Sequence, residues 1–159
     1  MTRHNFLDTM QFLEELEKYL QQDNNFFQQF DWWFFSKIDE TLDEVYIPYY
    51  QPKTNRIEKF KPDFIFWFKK EKDYAILFVD PKGTEHADGY RKIEGFVKIF
   101  EEEKEKNGES QPKTFSHNTL SVQVKLLLKT TDRANVLQEY QNYWFKDIRE
   151  LENLMKIPS

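Results

Sequence analysis

Apolar residues recur at Phe6, Met10, Leu13, Leu16 and Leu20, the spacing of one helix face, and predict an amphipathic helix over residues 5–21. The polar run from Gln21 to Asn25 ends it. Residues 30–38, with Trp32-Trp33-Phe34-Phe35 at their centre, read as an aromatic strand. Successive strand residues face opposite ways, so these rings are expected to pack into core on both sides. Val45 to Tyr50 reads as extended, and Pro48 within it predicts an edge strand or an irregular segment, because proline donates no ladder hydrogen bond. Gln51 to Arg56 is a polar turn. Phe64–Phe68 and Tyr74–Val79 are apolar runs joined by the charged stretch Lys69–Asp73, which predicts an antiparallel hairpin. In the second run both alternating sets are apolar, so that strand is expected to be central and covered on both sides.

Farther on, Tyr90, Ile93, Phe96, Val97 and Phe100 predict a helix from Asp88 to about Lys104, broken at Asn107-Gly108. The acidic run Glu101-Glu102-Glu103 is read as its solvated end. Residues 111–118 read as polar loop. Leu120–Leu128 alternates as a strand, and residues 134–155 are expected to form a last helix. A strand, helix, strand step over 74–79, 89–104 and 120–128 implies a crossover to a parallel neighbour. The predicted fold is therefore α/β, a mixed sheet flanked by helices in α-β-β-β-α-β-α order, with residues 1–159 as one domain.

Composition narrows the chemistry. The 159 residues contain no Cys, which excludes disulfides, thiolate catalysis and thiolate zinc sites. His4, His86 and His117 are too scattered to form a His-His zinc pair. The formal net charge of -5 is not that of a simple DNA-coating module, although a bound metal can reverse the field within one cleft. The N-terminus has no apolar leader and no run is long enough to span a membrane, so a soluble cytoplasmic protein is expected.

The sharpest chemical signal lies at the ends of the predicted hairpin. Asp63 begins its first strand, and Asp80-Pro81-Lys82 closes its second. In an antiparallel hairpin the start of one strand lies beside the end of the next, so Asp63, Asp80 and Lys82 are expected to converge at one sheet edge. Mg²⁺ takes hard oxygen ligands, one or two carboxylates with waters and phosphate oxygens. Asp63, Asp80 and the Pro81 carbonyl suit it, and Lys82 could stabilise charge on a phosphate. The competing reading is a solvated ion pair of Asp63 and Lys82, contributing about 0–1 kcal/mol.

Pro62-Asp63-Phe64-Ile65-Phe66-Trp67 followed by Phe78-Val79-Asp80-Pro81-Lys82-Gly83-Thr84-Glu85-His86 resembles the PD-(D/E)xK nuclease superfamily. Within it, the stretch is similar to the C-terminal endonuclease domain of type III restriction enzyme subunits and of DEAD/DEAH-box helicase-associated nucleases. The resemblance implies a restriction-endonuclease-like fold and Mg²⁺-dependent cleavage of double-stranded DNA, with Mn²⁺ substituting. Asp63 and Asp80 would take the metal positions and Lys82 that of the catalytic lysine. Such nucleases often add a Glu from the first helix, and a helical wheel puts Glu17 between Met10, Leu13 and Leu20, with Glu14 at the border and Glu15 pointing away. Arg91 and Lys92, which open the next helix, are candidates for phosphate contacts. The chain carries no GxxxxGK[ST] loop, so a helicase or translocase motor would act in cis or trans. Double-strand cutting by a one-site domain would use a dimer or two events. The alternatives are a catalytically inactive copy of the same fold that positions DNA, and a protein-interaction module.

Overall fold

The computed structural model of the chain describes residues 3–39, 41–81, 89–104 and 108–155. It is a mixed α/β structure built on a mixed sheet. Helix α1 spans Arg3–Leu20, strand β1 Trp32–Lys37, β2 Ile47–Gln51, β3 Arg56–Phe60, β4 Phe64–Lys70 and β5 Asp73–Asp80. Helix α2 (Gly89–Phe100) runs into β6 (Glu101–Glu103), followed by β7 (Ser110–Pro112), β8 (Phe115–His117), β9 (Leu120–Lys129), β10 (Trp144–Phe145) and the single-turn α3 (Leu151–Leu154). The main sheet has the order β1-β4-β5-β9-β10, with β8 also on β9. β4 and β5 form the expected antiparallel hairpin. β9 lies parallel to β5, as the intervening helix requires.

Strand alternation sorts the core into two layers. Phe64, Phe66 and Phe68 of β4 and Ala75, Leu77 and Val79 of β5 meet Phe12, Leu16 and Tyr19 of α1. On the other face, Phe78 of β5 and Val124, Leu126 and Leu128 of β9 meet Ile93 and Phe96 of α2. Each of these large side chains contributes roughly 1.5–3 kcal/mol on burial, so a helix on each face follows from the double-sided apolar pattern of β5. The hairpin β2–β3 stands apart as a two-stranded sheet against α2. There Gly95 has no alternative: a Cβ would lie 2.3 Å from the Pro48 carbonyl oxygen, so α2 and β2 approach only without a side chain.

Several expectations fail for identifiable reasons. The last helix does not form, because Trp144 and Phe145 are buried in opposite layers, a period of two. Around them, Asp132 and Asp147 accept from the N–H groups of Ala134 and Arg149, and such local bonds favour short 3₁₀ turns over a helix. Helix α2 stops at Phe100, and Glu101–Glu103 pair with Ser110–Pro112 as a hairpin. β3 escapes the pattern because only Phe60 in it is buried. β8 escapes it because all of its residues are exposed. The aromatic strand β1 is not a core strand: Trp32, Phe34 and Phe35 are 39%, 50% and 37% exposed. Trp33 packs against the α1 layer, and Phe35 stacks on Phe66 of that layer at 5.2 Å while staying partly exposed.

Candidate active site

Asp80 is the last residue of β5, and Asp63 directly precedes β4. Phe64 pairs with Val79, so the next register step sets Asp63 opposite Asp80. Across such a pair the Cα atoms are about 5 Å apart. Asp63 also sits beside β1, since the Ile38 N–H donates to its carbonyl at 2.7 Å. Both acids are buried, Asp63 at 0% and Asp80 at 3% exposure. Two acids thus neighbour each other in the backbone register at a sheet end, and both are buried.

The neighbours of Asp63 come from two elements. The Thr9 hydroxyl of α1 donates to its Oδ2 at 3.2 Å. Lys37 Nζ, at the end of β1, lies 4.0 Å from its Oδ1. The bend at Asp63 breaks strand alternation and turns the carboxylate toward α1. Asp80 keeps the alternation and belongs to the Phe78 side. Neither Thr9 nor Lys37 stands out in the sequence. The usable signals are that Thr9 lies one helical step from Phe12, and that Lys37 is the first charge after the aromatic run.

Lys82, with the motif residues through His86, lies outside the described residues, whereas Pro81 is described and buried. Glu17 is exposed. The packed stripe of α1 is set by Thr9, Phe12, Leu16 and Tyr19, with the Phe12 ring 5.1 Å from that of Phe64. Glu17 is turned about 140° from Phe12 at the helical 100° per residue, and Met10, which anchored the expected face, is 40% exposed. Glu15 instead flanks the packed stripe and meets Lys129 of β9 at 3.8 Å. Arg91 bonds Glu94 at 3.3 Å and lies over the Tyr90 ring. Lys92 Nζ lies 4.7 Å from the centre of the Phe60 ring. Among the described residues no group of three His, Asp or Glu is gathered as a metal cluster, and no helix is long and apolar enough to cross a membrane.

A second polar cluster lies elsewhere. Glu101, just after α2, accepts from Tyr143 at 2.8 Å and from Ser110 at 2.9 Å. Burial, reinforced by the Glu101 hydrogen bond and charge, holds the Tyr143 phenol well above its usual value. Burial also pushes the Lys125 ammonium down to about 8, opposed by the Glu101 charge. These groups line a cavity of about 760 Å³. It touches Val124, Lys125, Leu126 and Leu127 in succession, so it runs along the β9 edge. The cavity does not include Asp63 or Asp80. Volume and chemistry thus point to different places, and the apposed acids make the stronger catalytic candidate because hard-metal chemistry needs carboxylates.

Residues 3–143 match the model of the YagJ family, and the chain belongs to that family. No curated protein and no solved structure matches it.

Proposed function

We propose that this member of the YagJ family is a Mg²⁺-dependent DNA endonuclease domain with a restriction-endonuclease-like sheet. The observation that carries the reading is the register of β4 and β5, which sets Asp63 opposite Asp80 with both side chains buried. Buried carboxylates on neighbouring strands need counter-charge, of which Lys37, 4.0 Å from Asp63, supplies part and a metal ion would supply more. The donor set suits Mg²⁺: Asp63, Asp80 and the Pro81 carbonyl would hold it, leaving its other positions to water and phosphate oxygens. When bound, the ion supplies an activated water and neutralises charge on the scissile phosphate. The chain's own residues do the rest. Thr9 orients the Asp63 carboxylate through its hydroxyl. Lys37 puts a positive charge at the mouth of the site. Lys82 takes the lysine position of the motif on the sequence pattern alone. The substrate is double-stranded DNA, delivered by a motor in cis or trans, with Arg91 and Lys92 next along the chain as phosphate contacts.

The test is plasmid cleavage with Mg²⁺ or Mn²⁺ by the wild type, Asp80→Ala and Lys82→Ala. Each variant is expected to lose at least about 100-fold in rate, the usual effect of removing one group that stabilises the transition state. Equal cleavage by all three would overturn the assignment. A second reading, a non-catalytic scaffold, is favoured by one observation. Thr9 and Lys37 approach the two oxygens of Asp63 separately, as in a structural ion pair. Under that reading Asp63→Asn lowers thermal stability and Mg²⁺ has no effect on the wild-type melting temperature.

A further inference from the structure

Strand β9 changes its outer neighbour along its length. β8 pairs with it as far as Val122, and β10 takes over at Leu128. Between the two, the chain before β8 leaves β9 for β6: the Lys113 N–H donates to the Phe100 carbonyl, and Pro112 pairs with Glu101. No strand pairs with residues 123–127 on that edge among the described residues. The phase of the strand decides which backbone groups face the gap. The Ser121 N–H donates to the Lys72 carbonyl on the β5 side, and the Thr130 N–H to the Phe145 carbonyl on the β10 side. Alternate residues share a side, so Val124 and Leu126 turn their N–H and C=O groups into the gap. Both residues are buried, and both line the cavity of about 760 Å³. We propose that this cavity binds an extended peptide that pairs antiparallel with β9 at Val124 and Leu126 and carries one basic side chain.

The ligand class follows from spacing. N–H and C=O groups repeating on every second residue match those of another strand, and buried backbone groups call for such partners. The stretch between β8 and β10 has room for about five residues, roughly 17 Å of strand. Its volume lies within the range of ligand pockets. The two paired peptide residues point their side chains to the face of Val124 and Leu126, which is that of Tyr143. The residue between them points to the face of Leu127 and Leu154, where an apolar side chain fits. Charge decides the other face. Lys104 pairs with Glu109 at 3.6 Å, and Lys125 has the Glu101 charge near it. Glu139 lines the same cavity with no ion pair among the described residues. The lining therefore holds one acid in excess, which a lysine or arginine of the peptide complements. The inference does not depend on the nuclease reading.

The test is amide hydrogen exchange on the whole chain with the blocked peptide acetyl-Ala-Lys-Leu-Thr-Ala-amide, its lysine opposite Leu126. Without peptide, Val124 and Leu126 are expected to exchange at least ~10-fold faster than Lys125 and Leu127, whose amides face β5. Millimolar peptide should slow Val124 and Leu126 at least ~10-fold. The same peptide N-methylated at its lysine lacks the donor to the Leu126 carbonyl and should give no such protection. Glu139→Gln should weaken the lysine peptide about three-fold and leave its norleucine counterpart unchanged. Slow exchange of Val124 and Leu126 without peptide, equal protection by the N-methylated peptide, or protection by neither would overturn strand addition. An equal effect of Glu139→Gln on the lysine and norleucine peptides would overturn the choice of a basic side chain.

Discussion

Two buried acids sit at either end of the stretch that contains α2, and they handle their charge in opposite ways. Glu101 follows α2 and is surrounded by donors: the hydroxyls of Tyr143 and Ser110, with the Lys125 ammonium contributing charge. Asp80 ends the strand before α2 and lies across the register from a second buried carboxylate, Asp63. The first is what a structural acid looks like, since neutral donors and an ammonium offset the loss of water. The second sets two acids in adjacent register positions, with Thr9 and Lys37 reaching only Asp63 among the bonds described, and a metal ion there would add the remaining counter-charge. Burial alone does not separate function from structure here. The number of acids set next to one another does.

The largest expected effect falls on activity. Asp80→Asn keeps the shape of the side chain but halves the charge of the pair, and DNA cleavage should drop at least about 100-fold. Glu101→Gln, at the other acid, should cleave at the wild-type rate once the remaining folded fraction is accounted for. Should Glu101→Gln abolish cleavage and Asp80→Asn spare it, the two acids would exchange roles.

Stability reverses the order. Glu101→Gln replaces a carboxylate that accepts from two hydroxyls, and thermal unfolding should reveal a loss of roughly 1–3 kcal/mol. In the presence of a chelator, Asp80→Asn should lose less than Glu101→Gln, because lowering the charge next to Asp63 in the register offsets part of what is lost. Adding Mg²⁺ sharpens the contrast further. At ten times its dissociation constant a bound ion adds about 1.4 kcal/mol, and that gain should appear in the wild type and Glu101→Gln and vanish in Asp80→Asn. A metal response in Asp80→Asn equal to the wild type would place the ion elsewhere.

The legible part of this molecule is the part where pattern and pairing are local. The hairpin of β4 and β5 reads directly from two apolar runs and a charged turn, and with it the juxtaposition of Asp63 and Asp80. The parallel placement of β9 follows from the helix between. What the sequence conceals depends on partners far along the chain. Thr9 and Lys37 reach Asp63 only because α1 and β1 both close on the start of β4. The spacing of Met10, Leu13 and Leu20 puts Glu17 on the apolar face, but the stripe is fixed by where Phe12 finds Phe64 and Phe145. In the last segment the apolar spacing of Val136, Tyr140, Tyr143 and Trp144 mimics a helix. The decisive fact is that Trp144 and Phe145 complete the two opposite layers.

The smallest effect concerns Lys125, the cation that accompanies Glu101. Its folded value of about 8 lies below the ordinary 10.5 of an unfolded chain. Below pH 8 both states hold the proton, and the fold bears the full cost of a buried ammonium. Between pH 8 and 10.5 the unfolded chain binds more protons than the folded one, so wild-type stability gains with rising pH from this residue. Lys125→Met lacks that gain. The difference in melting temperature, variant minus wild type, should be greatest at pH 7 and shrink toward pH 10. Tyr143 acts with the opposite sign, since its raised value makes the fold lose stability as pH rises above 10. It is present in both chains, so up to pH 10 it leaves the comparison unchanged. A constant difference from pH 7 to pH 10 would mean that the Glu101 charge fully offsets the burial of Lys125. The two would then form a balanced ion pair, and the contrast with the apposed acids at the other site would be greater still.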